Sequence, residues 1–427
     1  MKRKIVVFGP GPRFKGGIAN FTAALCNALI ENLDTEIHLV SWTQQYPAII
    51  PRDFVDPKSN DRILNNKVHL HYITNYNNPI SWKKTADLII KLNPEKVIVQ
   101  WAIAIQGLPL GYIFKRVRQN CKAEIIFDVH NVIQKENSLF DRSFTRSALG
   151  QAHHYIMHGP STISEFQTFY PEKTFQISTD GNRNWTEQSI LKLYHPIYDI
   201  FKVDSNFDVA SEKQKRGLKK HVFLFFGFIR KYKGLHYAID AFAALAKERD
   251  DVSLLIVGES FWKTDEKTSL SKSLKKSVFK LLKKLFIKSR DQETDYNPLE
   301  KIKALNLEQS VVLVNEFVPN EDVHLYFQMC DSVVNFYEYA TPSGVESIAY
   351  QFLKPVLATP VGHFKETIID GENGYLSPSF DVDDMKNTLT MSIEKPISIA
   401  HIQLFKNKLS WKNYADCILK NPTGNNA

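Results

Sequence analysis

Short apolar runs bounded by turn residues alternate along this chain with longer stretches in which apolar residues recur every three or four positions. The short runs read as buried strands: Ile5–Phe8, Glu36–Val40, Val68–Ile73, Lys96–Gln100 and Glu124–Asp128. A second series follows at Val222–Phe226, Ser253–Val257, Val311–Val314, Ser332–Phe336 and Pro355–Ala358. Helical patterns, the first over roughly Ile18–Glu31, separate most of them. Strand and helix in alternation predict a parallel sheet wrapped by helices. Two series of similar size predict two Rossmann-like, doubly wound α/β domains. The length of 427 residues exceeds what one core normally fills. The turn-like Asp180-Gly-Asn-Arg-Asn and the polar Ser205–Lys220 place the boundary between them, with domains at 1–190 and 191–402. Apolar residues at helical spacing in the tail (Phe405, Leu409, Tyr414, Ile418) predict a helix at about 403–420 that can pack back on the first domain.

Charge changes the picture only locally. The net charge is +8, yet Lys267–Arg290 alone carries eight lysines, one arginine and no acid, so the rest of the chain is close to neutral. On a helical wheel Leu270, Leu274, Val278, Leu281, Leu282 and Leu285 share one face, with Lys272, Lys276, Lys280, Lys283 and Lys284 opposite. That composition suits an anionic membrane surface; the alternatives are an apolar face packed on the second domain with its lysines in water, or a protein partner. No aromatic residues interleave the lysines in a stacking pattern, which argues against nucleic acid. The charged start of the chain precedes only a short apolar run, so it reads as a first strand and not as a leader. No run reaches the roughly 20 apolar residues of a membrane span. A cytoplasmic protein, peripheral on a membrane at most, is expected. The four cysteines lie far apart without metal-ligand spacing and are expected to be reduced thiols.

Three segments carry candidate chemistry. After the first strand, Gly9-Pro-Gly11 and then Gly16-Gly17 precede a helix, baring backbone N–H groups at its positive end. The third glycine is displaced from a dinucleotide fingerprint, so NAD is disfavoured. A phosphate or sugar contact is the reading, a bare tight turn the alternative. In the second half, a buried strand ends at Gly227 and Arg230 and Lys233 follow before a helix. That loop lies at the carboxyl end of its sheet, where open α/β folds bind ligands. A forked guanidinium and a compact ammonium suit a diphosphate leaving group. The third segment, Asn335-Phe-Tyr-Glu338-Tyr-Ala-Thr-Pro-Ser343-Gly344-Val345-Glu346, passes from strand through a small-residue turn into a helix, again suited to an anion.

Gly227-Phe-Ile-Arg230-Lys-Tyr-Lys233-Gly234-Leu resembles the phosphate-binding signature of retaining glycosyltransferases of family 4, in the G-F-I-R-x-Y-K-G-L form of a bacterial subgroup. The resemblance implies the GT-B fold, two Rossmann-like domains facing across a cleft with the nucleotide sugar held by the second. It implies that Arg230 and Lys233 stabilise the departing diphosphate, and that Glu338 and Glu346 are the family's paired glutamates, one facing the donor sugar and one the ribose. The proline that should follow the second glutamate by seven positions stands nine away, at Pro355, and alignment on it puts Ile348 in that place. Ser343, Gly344 and Val345 would lie near the phosphates. His130, after Glu124–Asp128, occupies the family's position beside the donor sugar. Val361-Gly362-His363-Phe-Lys-Glu366 resembles its G-G-x-x-E loop with histidine for the second glycine.

The implied activity is retaining, metal-independent transfer from a nucleotide diphosphate sugar, the donor being substrate and no cofactor being needed. The acceptor would be a glycan or a lipid-linked molecule, in cell-surface polysaccharide or glycolipid synthesis. A non-catalytic sugar-nucleotide-binding or assembly subunit is the competing reading.

Overall fold

A computed structural model describes residues 2–32, 34–46, 55, 64–132, 141–260, 296–340 and 344–424. The basic segment Lys267–Arg290 and Ser343 lie outside the described residues. The described chain forms two compact units. One is built from residues up to Tyr194 together with the tail from Trp411, the other from residues between His195 and Ser410.

The first unit holds an eight-stranded parallel sheet: β1 (Arg3–Phe8), β2 (Thr35–Gln44), β3 (His69–Asn75), β4 (Lys96–Trp101), β5 (Glu124–Val129), β6 (His154–Met157), β7 (Gln176–Ser178) and β8 (Ser189–Lys192). The spatial order is β3-β2-β1-β4-β5-β6-β8-β7. Both faces of the central strands are covered by helices, which is why Ile5–Phe8 and Val97–Val99 run apolar without alternation and are fully buried. Phe8 meets Trp42 and Phe114 edge-on at 5.0 and 5.6 Å between centroids, joining β1, β2 and the helix Gly107–Asn120 in one core. Local sequence sets the helix ends. Before Pro79–Leu92 the Asn78 side chain accepts from the Ile80 and Ser81 N–H groups, proline opens the helix, and left-handed Asn93 closes it.

The second unit holds β9 (His221–Phe226), β10 (Val252–Val257), β11 (Val311–Val314), β12 (Ser332–Asn335), β13 (Val356–Ala358) and β14 (Gly374–Leu376), in the order β11-β10-β9-β12-β13-β14. Its core joins Phe223, Phe225, Ile239, Phe242, Leu254, Ile256 and Phe336. In each sheet the order reverses beside the first strand, between β1 and β4 and between β9 and β12. At these switch points the flanking connections diverge and leave a crevice at the strands' carboxyl ends.

The units part at Tyr194 and His195, inside the Asp180–Lys220 stretch read as the boundary. One expectation changes. The tail is two helices, Ile399–Lys408 and Trp411–Leu419, broken at Leu409-Ser410. Phe405 of the first packs edge-on against Tyr350 in the second unit, and Trp411 of the second packs against Phe21 in the first. The apolar residues on either side of the break pack into two different cores.

Candidate functional site

In the second unit the site is built at the carboxyl end of β9. Phe226 is followed by Gly227 at φ 98°, extended Arg230, a tight turn over Lys231–Lys233, Gly234 at φ 63°, and the helix Leu235–Ala246. Both glycines are required. A Cβ at Gly234 would stand 1.8 Å from the Phe336 carbonyl oxygen, so only glycine lets the turn lie against the end of β12. A Cβ at Gly227 would stand 2.8 Å from the Lys233 Nζ: the ammonium folds back over the glycine into the space a side chain would fill. The Val345 methyl Cγ2 lies 3.8 Å from the same point, which brings the start of the helix Gly344–Gln351 beside the ammonium. Lys233 Nζ also lies 5.8 Å from the Tyr337 ring centroid.

Burial first, and the neighbouring Arg230 charge second, push the Lys233 ammonium down to about 8. No carboxylate among the described residues pairs with it. A half-buried cation beside a second cation, with a helix start adjoining, has the chemistry to hold a multiply charged anion.

Glu338 sits just past β12 and is exposed. Its backbone N–H donates to the Tyr232 carbonyl at 2.7 Å, and its carboxylate lies 3.8 Å from His236 Nε2. Burial holds His236 down at about 4, so this ring is neutral and the contact is no ion pair at neutral pH. Gly344 opens its helix against the Tyr198 ring. Glu346, in the first turn, is buried and its Oε2 accepts from His363 Nε2 at 2.6 Å. His363, which replaces the second glycine of the expected loop, therefore occupies one carboxylate oxygen of the glutamate expected to hold a ribose. Ile348 is buried on the same helix.

In the first unit Gly16 caps the helix Gly17–Ile30 at φ 114° and has no atom within 4 Å of where a Cβ would stand; Gly17 is exposed. His130 follows β5, its backbone N–H bonded to the Trp101 carbonyl at 3.0 Å. Its Nε2 lies 2.6 Å from Gln100 Oε1, and its ring meets Phe21 edge-on. Gln100 Nε2 in turn approaches Asp128 Oδ2 at 3.4 Å. Asp128 also accepts from His158 Nε2 at 2.8 Å and from the Tyr414 hydroxyl at 3.0 Å. Burial would raise the Asp128 carboxyl, but the charges and hydrogen bonds of its neighbours, His158 foremost, hold it below the usual range. Burial pushes His130 down to about 4. The amide oxygen of Gln100 can only accept, so neutral His130 carries its proton on Nε2 and keeps a lone pair on Nδ1. Such a ring accepts a hydrogen bond from a hydroxyl and donates no proton at pH 7. Asp128, His130 and His158 bring their ligand atoms within 4.8 Å of one another. With three donors already on Asp128, the cluster serves as a hydrogen-bond hub that orients His130 through Gln100.

Sequence reasoning passed over Gln100, Asp128, His158 and Tyr414. The available signal was position: Gln100 and Asp128 lie at, and His158 just beyond, the carboxyl ends of adjacent β4, β5 and β6.

A sequence model of the family described as "Glycosyl transferases group 1" matches residues 206–407, spanning the cation loop and both glutamates. Among solved structures, Anabaena HepE in complex with UDP-glucose superposes with a TM-score of 0.64 at 15% identity, over 96% of this chain and 98% of that one. Sucrose-phosphate synthase from Thermosynechococcus elongatus gives 0.61 at 14%, over 97% and 96%. A glycosyltransferase from Rickettsia africae gives 0.62 at 12%, over 97% and 96%. The fold is GT-B. No curated protein matches the chain.

Proposed function

We propose that this chain transfers a sugar from a nucleotide diphosphate sugar to a glycan or lipid-linked acceptor, with retention and without a metal, in cell-surface polysaccharide or glycolipid synthesis. The observation that carries the reading is Lys233: a half-buried ammonium over Gly227, next to Arg230 and a helix start, with no carboxylate partner among the described residues. Cleavage of the donor bond develops negative charge on the departing diphosphate, and fixed cations stabilise that charge without reorganising. They do there what a divalent ion does elsewhere. Glu338 lies just past β12, the neighbour of β9, and in this reading would meet the sugar, while His130 Nδ1 would offer a hydroxyl acceptor. The UDP-glucose bound by HepE makes that donor the first to test.

Purified protein given UDP-glucose should hydrolyse it slowly without acceptor and transfer it with acceptor, the product keeping the donor's anomeric configuration by NMR. Transfer should persist in EDTA. An inverted product, or activity lost to chelation and restored by a divalent ion, removes the mechanism. The His363–Glu346 pair favours one competing reading, a sugar-nucleotide-binding subunit, which would bind donor and never turn it over.

The Lys233 titration adds a pH signature. A free-state value near 8 means that the ammonium loses its charge above that pH, while a bound diphosphate restores the proton. The Kd for UDP-glucose should therefore rise above pH 8, approaching about tenfold per pH unit. Lys233→Arg, charged at every pH tested, should show no such rise.

Lipid-linked acceptors lie at a membrane, and the basic segment 267–290 suits an anionic one. Co-sedimentation with phosphatidylserine vesicles, weakened by salt and lost when Lys276, Lys280, Lys283 and Lys284 become glutamine, is the expected result.

A further inference from the structure

The amino ends of the first sheet's strands carry a second cluster of chemistry, far along the strands from the glycine loop and His130. Side chains two apart on a strand share a face, and residues in register across a parallel pair share it too. Glu36 and His38 are two apart on β2, His69 and His71 two apart on β3. The register pairs His38 with His69 and Val40 with His71. One glutamate and three histidines therefore stand on one face of two adjacent strands, β3 being the sheet edge.

The side chains meet. His38 Nε2 lies 2.9 Å from Glu36 Oε1, and His38 Nδ1 lies 3.2 Å from His71 Nε2. The His69 ring stacks on His38 at 4.7 Å between centroids. Glu36, His38 and His69 each offer a ligand atom, all within 4.8 Å of one another. His38 is buried and fixed, His69 is exposed, and Glu36 borders an open hollow with Lys4 and Lys96. An ion has a path in from solvent.

We propose that Glu36, His38 and His69 form a transition-metal site, with zinc as the fitting ion and His71 as the positioning residue behind it. Two histidines and one carboxylate with a fourth position left to water is an established zinc ligand set. Ligands bonded at about 2.0–2.1 Å to a tetrahedral ion stand roughly 3.4 Å apart, so closure asks about 1 Å of movement, which exposed His69 can make. The ion takes the place of the proton that His38 Nε2 shares with Glu36. The remaining ring proton then sits on Nδ1 and is donated to His71 Nε2, the usual arrangement of a metal-bound imidazole. The cluster joins β2 to the edge strand β3, so its bound ion stabilises the sheet edge and takes no part in transfer.

The test uses the untagged full-length chain with zinc chloride, read by calorimetry and by melting temperature, and then cobalt, read by its visible spectrum. One ion per chain, a raised melting temperature and a tetrahedral cobalt spectrum are expected. His69→Ala and Glu36→Gln change exposed or half-exposed side chains, so the fold should survive while binding falls by more than tenfold. His71→Ala should weaken binding by about 10–100-fold, the range for a group supporting a ligand. Absence of saturable one-to-one binding in the wild type overturns the proposal. So does zinc affinity unchanged in both His69→Ala and Glu36→Gln.

Discussion

Replacing Lys233 with alanine should lower turnover by about 10²–10³-fold, the scale for removing one preorganised group from a developing charge, while the protein melts no lower than the wild type. The two halves of this expectation come from one fact. In the free protein Lys233 is a partly desolvated cation beside another cation, with no carboxylate partner among the described residues, and its pKa of about 8 shows that its surroundings disfavour the charge. Removing it relieves the fold and costs only the reaction. Arg230→Ala should act in the same direction and on the same scale. Kinetics on the two variants beside a melting curve make the check. Near-normal turnover in both would remove the diphosphate assignment, and a large fall in melting temperature for Lys233→Ala would make the residue structural.

How legible this was depended on whether the relevant residues are neighbours in sequence. The cation loop is contiguous: a buried run ending at Phe226, glycine, two cations, glycine and an amphipathic helix are read in fifteen residues, and the structure assembles them at the carboxyl end of β9. The ten apolar runs were read as strands for the same reason, the short β11 and β13 because they are apolar without interruption. β6, β7, β8 and β14 are equally short but mix polar residues or glycine with apolar ones, which gives no pattern to count. The hub on Asp128 was hidden differently. Its donors come from β4, from beyond β6 and from a tail helix 286 positions away, and only the strand order makes them neighbours. The His363–Glu346 pair likewise needs the loop after β13 to return beside the helix start after β12. The histidines at 38, 69 and 71 alternate visibly within each strand, but the register between the strands is a tertiary fact.

The largest effect on stability should come from Glu124→Ala, with a loss of about 3–5 kcal/mol. Lys96 and Glu124 stand in register on β4 and β5, and Lys96 Nζ meets Glu124 Oε2 at 2.6 Å. Arg183, from the turn before β8, donates its Nη2 to the same oxygen at 3.0 Å and its Nε to the other. All three side chains are at most 1% exposed. The cations also hold the tail: Arg183 Nη2 reaches the Ile418 and Lys420 carbonyls at 3.0 and 2.8 Å, and Lys96 Nζ reaches Lys420 at 3.0 Å. Burial alone would raise the Glu124 carboxyl, yet Arg183 and Lys96 bring it below its ordinary range. Its contribution is therefore present at neutral pH and lost as pH falls through that lowered value. Without Glu124, two cations remain in a dry interior, a penalty that consumes a large part of a typical domain's 5–15 kcal/mol. For a unit of this size the melting temperature should fall by roughly 10 °C. Arg183→Met separates the cluster's second role, since it should release the helix Trp411–Leu419 and expose the tail to limited proteolysis. Replacing Lys96, Glu124 and Arg183 together with apolar residues of similar volume should restore much of the stability lost in Glu124→Ala, because the cost lies in the unpaired charges. A melting temperature for Glu124→Ala within a degree or two of the wild type would mean that water reaches this cluster and that the tail is held by its other contacts, among them Trp411, Tyr414 and the hydrogen bond from Arg3 to the Leu419 carbonyl.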